Sequence, residues 1–283
     1  MRHALRLTFL AIVALPCVAR GQCRPPGNSH EARLLAFYSV PVVFVADPTT
    51  LAIPSKPLVS IGVEGEYVPT PSAELQHTEF CYTGKAEHTS LTKFFGRPRL
   101  AVSLPSGVGA ELSYLPPVTI AQATPNLFSA ALWLTRTLRP GTNLTFRVNG
   151  TTGSIRGPIT CPKEALQQQD PNAPCYGTAQ STDEFRPRMI GEEILLTRSL
   201  ASSPFSFVAG IGMNELMPRF RVGFSDLSGG TDHTTIAVNL RRFTGLLGGS
   251  FRFTPRCSAT AEGYASASDV ATVRGLISCT PWK

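Results

Sequence analysis

The sequence predicts an all-β fold, an antiparallel transmembrane β-barrel of about twelve strands with a short, helix-containing plug segment at its N-terminus. Three observations predict this fold class. Polar and apolar residues alternate with a period of two, an export signal precedes the mature chain, and no mature stretch reaches the roughly 18 apolar residues of a spanning helix. A mature chain in a membrane must then be a closed barrel, because only helices and barrels satisfy every backbone polar group in lipid.

Residues 1–21 are predicted to be a signal peptide. Arg2 and Arg6 precede an apolar run at 7–15, and small residues stand at the Ala19-Arg20-Gly21 end, where a signal peptidase cleaves. We therefore predict a signal peptide at 1–21, a plug or periplasmic segment at 22–57 and a barrel at 58–283. The expected location is the outer membrane of a Gram-negative envelope.

Composition supports a lipid-facing sheet. Charged residues make up 16% of the chain, below the usual value of about 25%, whereas the apolar share of 42% is ordinary. That balance is expected when one strand face meets lipid and the other an enclosed lumen. The alternative on the same pattern is a soluble β-sandwich. Without the three signal arginines, 23 basic residues stand against 19 acidic ones, and their scatter argues against nucleic acid as a partner.

The N-terminal segment is predicted to hold one helix. Asn28 or Ser29 can cap a helix that runs through Tyr38, with Glu31 in its first turn. Exposed apolar runs are normally avoided, which favours burial of this segment as a plug over a loose periplasmic tail. The plug candidates are Leu34, Leu35, Phe37, Tyr38 and Phe44.

Eleven segments of the mature chain alternate like strands. They are 59–68, 98–104, 108–115, 127–138, 142–158, 188–199, 204–213, 218–225, 233–242, 246–264 and 270–280. Bacterial single-chain barrels close with an even number of strands, so about twelve are expected, with ten as the next choice. The insertion at 161–187 is predicted to be an external loop clipped by a Cys161–Cys175 disulfide.

The last predicted hairpin has a defined register. Folding it about Ser268 sets Glu262 against Arg274, Ser258 against Ser278 and Cys257 against Cys279, because opposed antiparallel positions sum to a constant. A Cys257–Cys279 disulfide is therefore predicted, and a Cys23–Cys81 pair follows by elimination. Neither a C-x-x-C motif nor a Cys/His grouping with metal-ligand spacing occurs, so no metal and no cofactor is expected.

Several charged residues fall on the predicted polar faces and would line a lumen. They are Arg99, Glu111, Arg147, Arg156, Arg252, Arg256, Glu262 and Arg274. They would form either a charged constriction that selects solutes or cross-strand pairs that fill a narrow barrel. No enzyme is predicted, because the one suggestive pair, Asp232 and His233, sits on adjacent positions whose side chains point to opposite faces.

The chain resembles bacterial outer-membrane β-barrels and, more loosely, the FadL/OmpP1-type hydrophobic-compound transporters. The looser likeness rests on the segment ahead of the barrel and on Ala46-Asp47-Pro48-Thr49-Thr50-Leu51-Ala52, which departs from the family pattern at Asp47 and Thr49. It implies passive passage of small hydrophobic or amphipathic solutes, with the lipid bilayer as the other partner. The alternatives are a non-transporting adhesive or envelope-structural barrel and a soluble exported ligand-binding protein.

Overall fold

The computed structural model describes residues 22–81, 93–120, 122–266 and 269–281, so the predicted signal peptide and Ser268 lie outside the described residues. The described strands are β1 (Gln22–Cys23), β2 (Leu58–Tyr67), β3 (Phe94–Ser103), β4 (Val108–Leu115), β5 (Thr124–Arg139), β6 (Thr142–Gly157), β7 (Asp183–Arg186), β8 (Met189–Ser199), β9 (Phe205–Leu216), β10 (Arg219–Arg221), β11 (Phe224–Ser225), β12 (Thr231–Asp232), β13 (Thr235–Ala237), β14 (Leu240–Arg252), β15 (Cys257–Ser266) and β16 (Val270–Cys279). The helices are α1 (His30–Ser39), α2 (Pro48–Leu51) and two 3-10 turns, Val40–Val42 and Lys163–Ala165.

Ten of these strands close into an antiparallel barrel. Following the hydrogen bonds around the wall gives β2, β3, β4, β5, β6, β8, β9, β14, β15 and β16, and β16 pairs again with β2. The connections 104–107, 140–141, 200–204 and 253–256 are short and meet at one end, hereafter the turn end. The long connections 68–93, 116–123, 158–188 and 217–239 meet at the other, hereafter the loop end.

The expectation of about twelve barrel strands is not confirmed, and the next choice of ten agrees with the structure. Four short strands form an outer sheet, in which β7, β10, β13 and β1 extend outward from the loop end of β6. The predicted segment 218–225 belongs to this loop-end structure rather than to the wall, and the predicted strand 233–242 combines β13 of the outer sheet with the first residues of β14.

The predicted register of the last hairpin is confirmed. Cys257 faces Cys279, Ser258 faces Ser278 and Glu262 faces Arg274. The single strand predicted at 246–264 is wrong, because the chain turns at 253–256. Pro255 has no amide hydrogen for a ladder, and Thr254 Oγ1 accepts hydrogen bonds from the amides of Arg256 and Cys257.

The wall is polar inside and apolar outside. On β15, Ser258, Thr260 and Glu262 are buried in the interior, whereas Ala259 and Ala261 lie on the outer side. Large exposed apolar side chains on the outer face include Ile61, Val63, Leu100, Leu112, Phe128, Leu132, Phe146, Ile190, Ile194, Phe207, Ile211, Phe243, Leu247, Val273 and Ile277. A soluble fold buries such residues, so the closed sheet and its outward apolar face exclude the β-sandwich alternative.

The N-terminal segment enters at the loop end. β1 pairs in parallel with β13 of the outer sheet, and Ser29 Oγ accepts from the Ala32 amide at 3.2 Å to cap α1, as the sequence predicted. Disulfides join Cys23 to Cys81, Cys161 to Cys175 and Cys257 to Cys279. In the part of the chain that the structure describes, every helix is too short or too polar to cross a bilayer.

Candidate functional site: the barrel lumen

Residues 42–50, hereafter the luminal segment, run through the barrel from the loop end toward the turn end. The contacts with β3 give the direction, since Arg97 meets Val42 near the loop end and Ser103 Oγ donates to the Thr50 carbonyl near the turn end. Phe44, Val45 and Ala46 are almost completely buried although they pair with no strand. Their backbone polar groups therefore need partners other than a β-ladder.

Arginines of the wall supply the donors. Arg97 Nη1 donates to the Val42 carbonyl at 2.9 Å, Arg274 Nη1 to that of Val43 at 2.8 Å, Arg147 Nη2 to that of Phe44 at 2.8 Å and Arg99 Nη1 to that of Val45 at 2.9 Å. Four consecutive carbonyls are thus each bound by a different guanidinium group. The segment is held by its backbone, so its side-chain sequence carries little sign of the interaction.

Two glutamates accept from the amides of the same segment. Glu64 Oε2 accepts from the Val45 amide at 3.1 Å, and Glu262 Oε2 accepts from the Ala46 amide at 2.8 Å. The Arg97 guanidinium also lies 4.2 Å from the centre of the Phe44 ring, within the range of a cation–π contact. The wall therefore binds both backbone faces of the luminal segment.

These side chains belong to one arginine–glutamate network, formed by Arg97, Arg99, Arg147, Arg274, Glu64, Glu111, Glu193 and Glu262. Ion pairs run from Arg97 to Glu64 (2.7 Å), Glu64 to Arg99 (3.0 Å), Arg99 to Glu111, Glu111 to Arg147 (3.5 Å) and Arg147 to Glu193 (2.7 Å), with Arg274 paired to Glu262. Four positive groups face four negative groups in these pairs, and two further buried carboxylates, Glu66 on β2 and Asp47 on the luminal segment, lie in the same interior. Charges removed from water are tolerated when they are paired and hydrogen-bonded in this way.

Asp47 anchors the luminal segment on the turn-end side of the network. Its Oδ1 accepts from the Thr49 amide at 3.0 Å and caps α2, and its Oδ2 accepts from Ser278 Oγ at 3.0 Å. Thr49 Oγ1 in turn donates to Ser258 Oγ at 3.3 Å. The luminal segment is therefore tied to the wall along its whole length.

An apolar pocket of about 150 Å³ lies at the loop end, where the segment enters the barrel. Tyr38, Pro41 and Val42 line it from the N-terminal side. The wall and the outer sheet supply its other side, including Phe95, Leu115, Ala123, Ile155 and Phe185. Dry apolar cavities of about this volume hold one small aromatic molecule.

Five of the eight predicted lumen residues lie in the network: Arg99, Glu111, Arg147, Glu262 and Arg274. The other three were predicted wrongly. Arg156 is at the loop end with 70% of its side chain exposed, where β6 joins the outer sheet, and Arg252 and Arg256 are exposed at the turn end. They lie beyond the part of the wall that encloses the lumen.

Sequence reasoning missed Glu64, Arg97, Glu193 and Asp47. Glu64 and Glu193 lie on the buried phase of predicted strands, so counting every second residue would have found them. Arg97 was missed because β3 begins at Phe94, four residues before the predicted start. The capping role of Asp47 is local, but its contact with Ser278 carries no local signal.

All the plug candidates lie in the interior or close to it. Leu34, Leu35 and Phe37 are buried on α1 at the loop end, Tyr38 lines the apolar pocket, and Phe44 is buried in the luminal segment. Asp232 and His233 lie in the connection between β10 and β14 at the loop end, away from the luminal network. In the described ranges, no group of three or more His, Cys, Asp or Glu side chains is placed to hold a metal ion.

Comparison with protein-family models and with curated proteins finds no match. Among solved structures, the chain is similar to Ail, the attachment invasion locus protein of Yersinia pestis, at 9% identity over 79% of this chain and 95% of that one, with a TM-score of 0.32. It is also similar to the Ralstonia pickettii toluene transporter TbuX at 9% identity over 82% and 91%, with a TM-score of 0.35. A mutant of the monoaromatic hydrocarbon channel TodX gives 13% identity over 82% and 69%, with a TM-score of 0.36.

Proposed function

We propose that the protein is an outer-membrane β-barrel that takes small hydrophobic or amphipathic solutes into the apolar pocket and passes them inward passively when the luminal segment shifts. The observation that carries the proposal is the shared lining of that pocket. Tyr38, Pro41 and Val42 form one side of it, so a bound solute touches the segment that fills the lumen.

The outer surface supports insertion in a bilayer. Its apolar side chains form a belt, and aromatic pairs stand toward both ends: Tyr67 with Phe94 at the loop end, 5.5 Å between ring centres, and Phe205 with Phe251 at the turn end, 5.0 Å apart. Aromatic girdles that flank an apolar band are typical of transmembrane barrels. Short turns at one end and long loops at the other are also typical of such barrels, whose long loops face the outside of the cell.

Val42 links the pocket to the lumen. Its side chain lines the pocket, while its carbonyl accepts from Arg97 Nη1 at 2.9 Å and from Thr151 Oγ1 at 3.2 Å. A solute that displaces Val42 breaks the first hydrogen bonds of the luminal segment. The remaining arginine contacts would then be exposed to water, which lowers the cost of further displacement.

Filling the pocket tests this proposal. Ala123 lines the pocket, so Ala123→Leu should weaken binding of fluorophenol by at least about tenfold, because the larger side chain occupies the solute's volume. Binding can be followed by fluorine NMR of the protein in nanodiscs. Ala130→Leu, the same change on the outer face of β5, is the control for partition of the probe into lipid. Unchanged saturable binding in Ala123→Leu would contradict the proposal.

The second candidate is an envelope-structural or adhesive barrel that carries no solute. The observation that favours it is the arginine–glutamate network, which together with the luminal segment fills the interior through ion pairs and backbone contacts. Small barrels are commonly filled in this way. If this candidate is right, moving or removing the segment changes stability and leaves solute passage unaltered.

A further inference from the structure

The wall is forked at the loop end of β6. Through Thr151 this strand pairs with β8, but from Ile155 onward it pairs with β7 of the outer sheet. Gly153 lies between the two regions with φ of +130°, a conformation that L side chains rarely adopt. A cleft of about 700 Å³ opens between the outer sheet and the barrel wall at this fork.

Arginines dominate the lining of the cleft toward the loop end, and they are Arg156, Arg186, Arg188 and Arg219. Glu184 is the one carboxylate among the lining residues, so the lining carries a net charge of +3. Arg156 and Arg186 share Glu184, at 3.6 and 3.1 Å. In the described part of the chain, Arg188 and Arg219 form no ion pair with a carboxylate.

The outer sheet places two of these arginines against each other. Arg186 on β7 is directly opposite Arg219 on β10, and like charges at opposed positions destabilise a sheet. A second depression of about 250 Å³ continues from the cleft and adds Arg24 to Arg188 and Arg219. The outward carboxylates nearest in the wall, Glu192 and Glu215, are outside the lining, and Glu215 is paired in register with Arg241. An anion in the cleft would relieve the repulsion between the arginines.

Farther from the loop end, the lining adds Phe128 and Ile190 beside Thr151, Thr152 and Ser154, and it continues into the outer belt. Phe128 and Ile190 are about half exposed on the outer face of β5 and β8. Guanidinium groups bind phosphate in a bidentate manner, and the belt below them suits acyl chains. The two surfaces together fit an amphipathic molecule with phosphate at one end.

We propose that this cleft binds the phosphate groups of an outer-leaflet lipid whose acyl chains lie on the apolar belt below Phe128 and Ile190. The site rests on insertion of the barrel in the membrane and is independent of any solute passage. Its contribution is to fix the outer sheet, and with it β1 and the start of the N-terminal segment, against the membrane surface.

The test is native mass spectrometry of the protein released from nanodiscs that contain phosphorylated lipid A or its dephosphorylated form. Wild-type protein should retain the phosphorylated lipid, and Arg188→Gln/Arg219→Gln should retain at least about tenfold less, because two charge-assisted contacts are lost. Arg252→Gln/Arg256→Gln, two exposed arginines at the turn end, should leave retention unchanged. Heat-modifiable migration on gels reports whether each variant is folded.

Inorganic phosphate, added to the protein in detergent, separates the two sources of the anion. Stabilisation by free phosphate together with equal retention of both lipid forms would overturn the lipid proposal, as would equal retention by the two double variants. An inserted barrel that kept no phosphorylated lipid would also overturn it and would leave the assignment to the membrane intact.

Discussion

The arginine–glutamate network is the residue-scale feature that determines how the lumen is filled. Arg274 pairs with Glu262, donates to the Val43 carbonyl and lies 3.9 Å from the Tyr264 ring centre. Every partner of this guanidinium is buried, so none of them can form a replacement hydrogen bond with water when the guanidinium is removed.

Breaking this pair from either side should be costly. Arg274→Met or Glu262→Gln alone should lower the free energy of unfolding by about 3–5 kcal/mol, because each leaves a buried charge without its partner. The double variant should lose less than the sum of the two, because no unpaired charge of this pair remains. Urea unfolding of the protein in lipid vesicles measures all four proteins. Additive losses would contradict a direct pairing.

Glu31 is a second residue whose charge holds two segments together. Its Oε1 accepts from the amides of Glu79, Phe80 and Cys81 at 2.7, 2.6 and 3.0 Å. Burial alone would raise the pKa of Glu31, but these backbone amides outweigh burial and hold its pKa below the ordinary value. The carboxylate thus fixes α1 to the loop that carries the Cys23–Cys81 disulfide.

The pH dependence follows from the sign of that shift. Because the folded pKa is lower than the unfolded one, the contribution is complete above about pH 4.3 and is lost as pH falls through the folded value. Glu31→Gln should therefore be less stable than wild type at pH 7, and the difference should shrink at lower pH. Glu74→Gln, an exposed control, should differ little at any pH. A constant difference for Glu31→Gln would contradict this account.

At the scale of elements, the fork in β6 depends on one glycine. A Cβ on Gly153 would lie 2.0 Å from the Asn126 carbonyl oxygen, and its φ is +130°. Gly153→Ala should lower the free energy of unfolding by at least about 1 kcal/mol. Gly65→Ala, at a strand position where nothing lies within 4 Å of the new Cβ, should stay within about 0.5 kcal/mol of wild type. Equal effects in the two variants would show that the fork needs no special backbone conformation.

Local pattern predicted some elements and missed others for identifiable reasons. The β15–β16 register was predictable because a charge pair, a hydroxyl pair and a cysteine pair agree on one alignment. The number of barrel strands was not, since the segments 218–225 and 233–242 alternate like wall strands, but β10 and β13 within them are only three residues long. The arginine contacts with residues 42–45 could not be predicted either. Every residue carries a backbone carbonyl, and the arginines that bind these carbonyls are 54 to 231 residues away in the sequence.

At the scale of the whole molecule, one chain supplies both the wall and the segment that fills it. The wall presents apolar side chains to the outside and paired charges to the inside, and residues 42–50 form hydrogen bonds with those charges. The segment is linked at the loop end through Cys23–Cys81 and continues into β2 at the turn end. The luminal segment therefore fills the lumen, and the proposed function requires a limited displacement of it to open a path.

Single-channel conductance in planar bilayers tests the closed lumen most directly. The full chain should be nearly silent, because residues 42–50 occupy the interior, whereas a variant lacking residues 24–54 should conduct through the water-filled gap left among the network side chains. Heat-modifiable migration of both proteins shows that each barrel is folded, and co-flotation with lipid vesicles shows that it is inserted. Equal conductance of the two inserted proteins would contradict a closing role for the segment and would favour the envelope-structural or adhesive barrel.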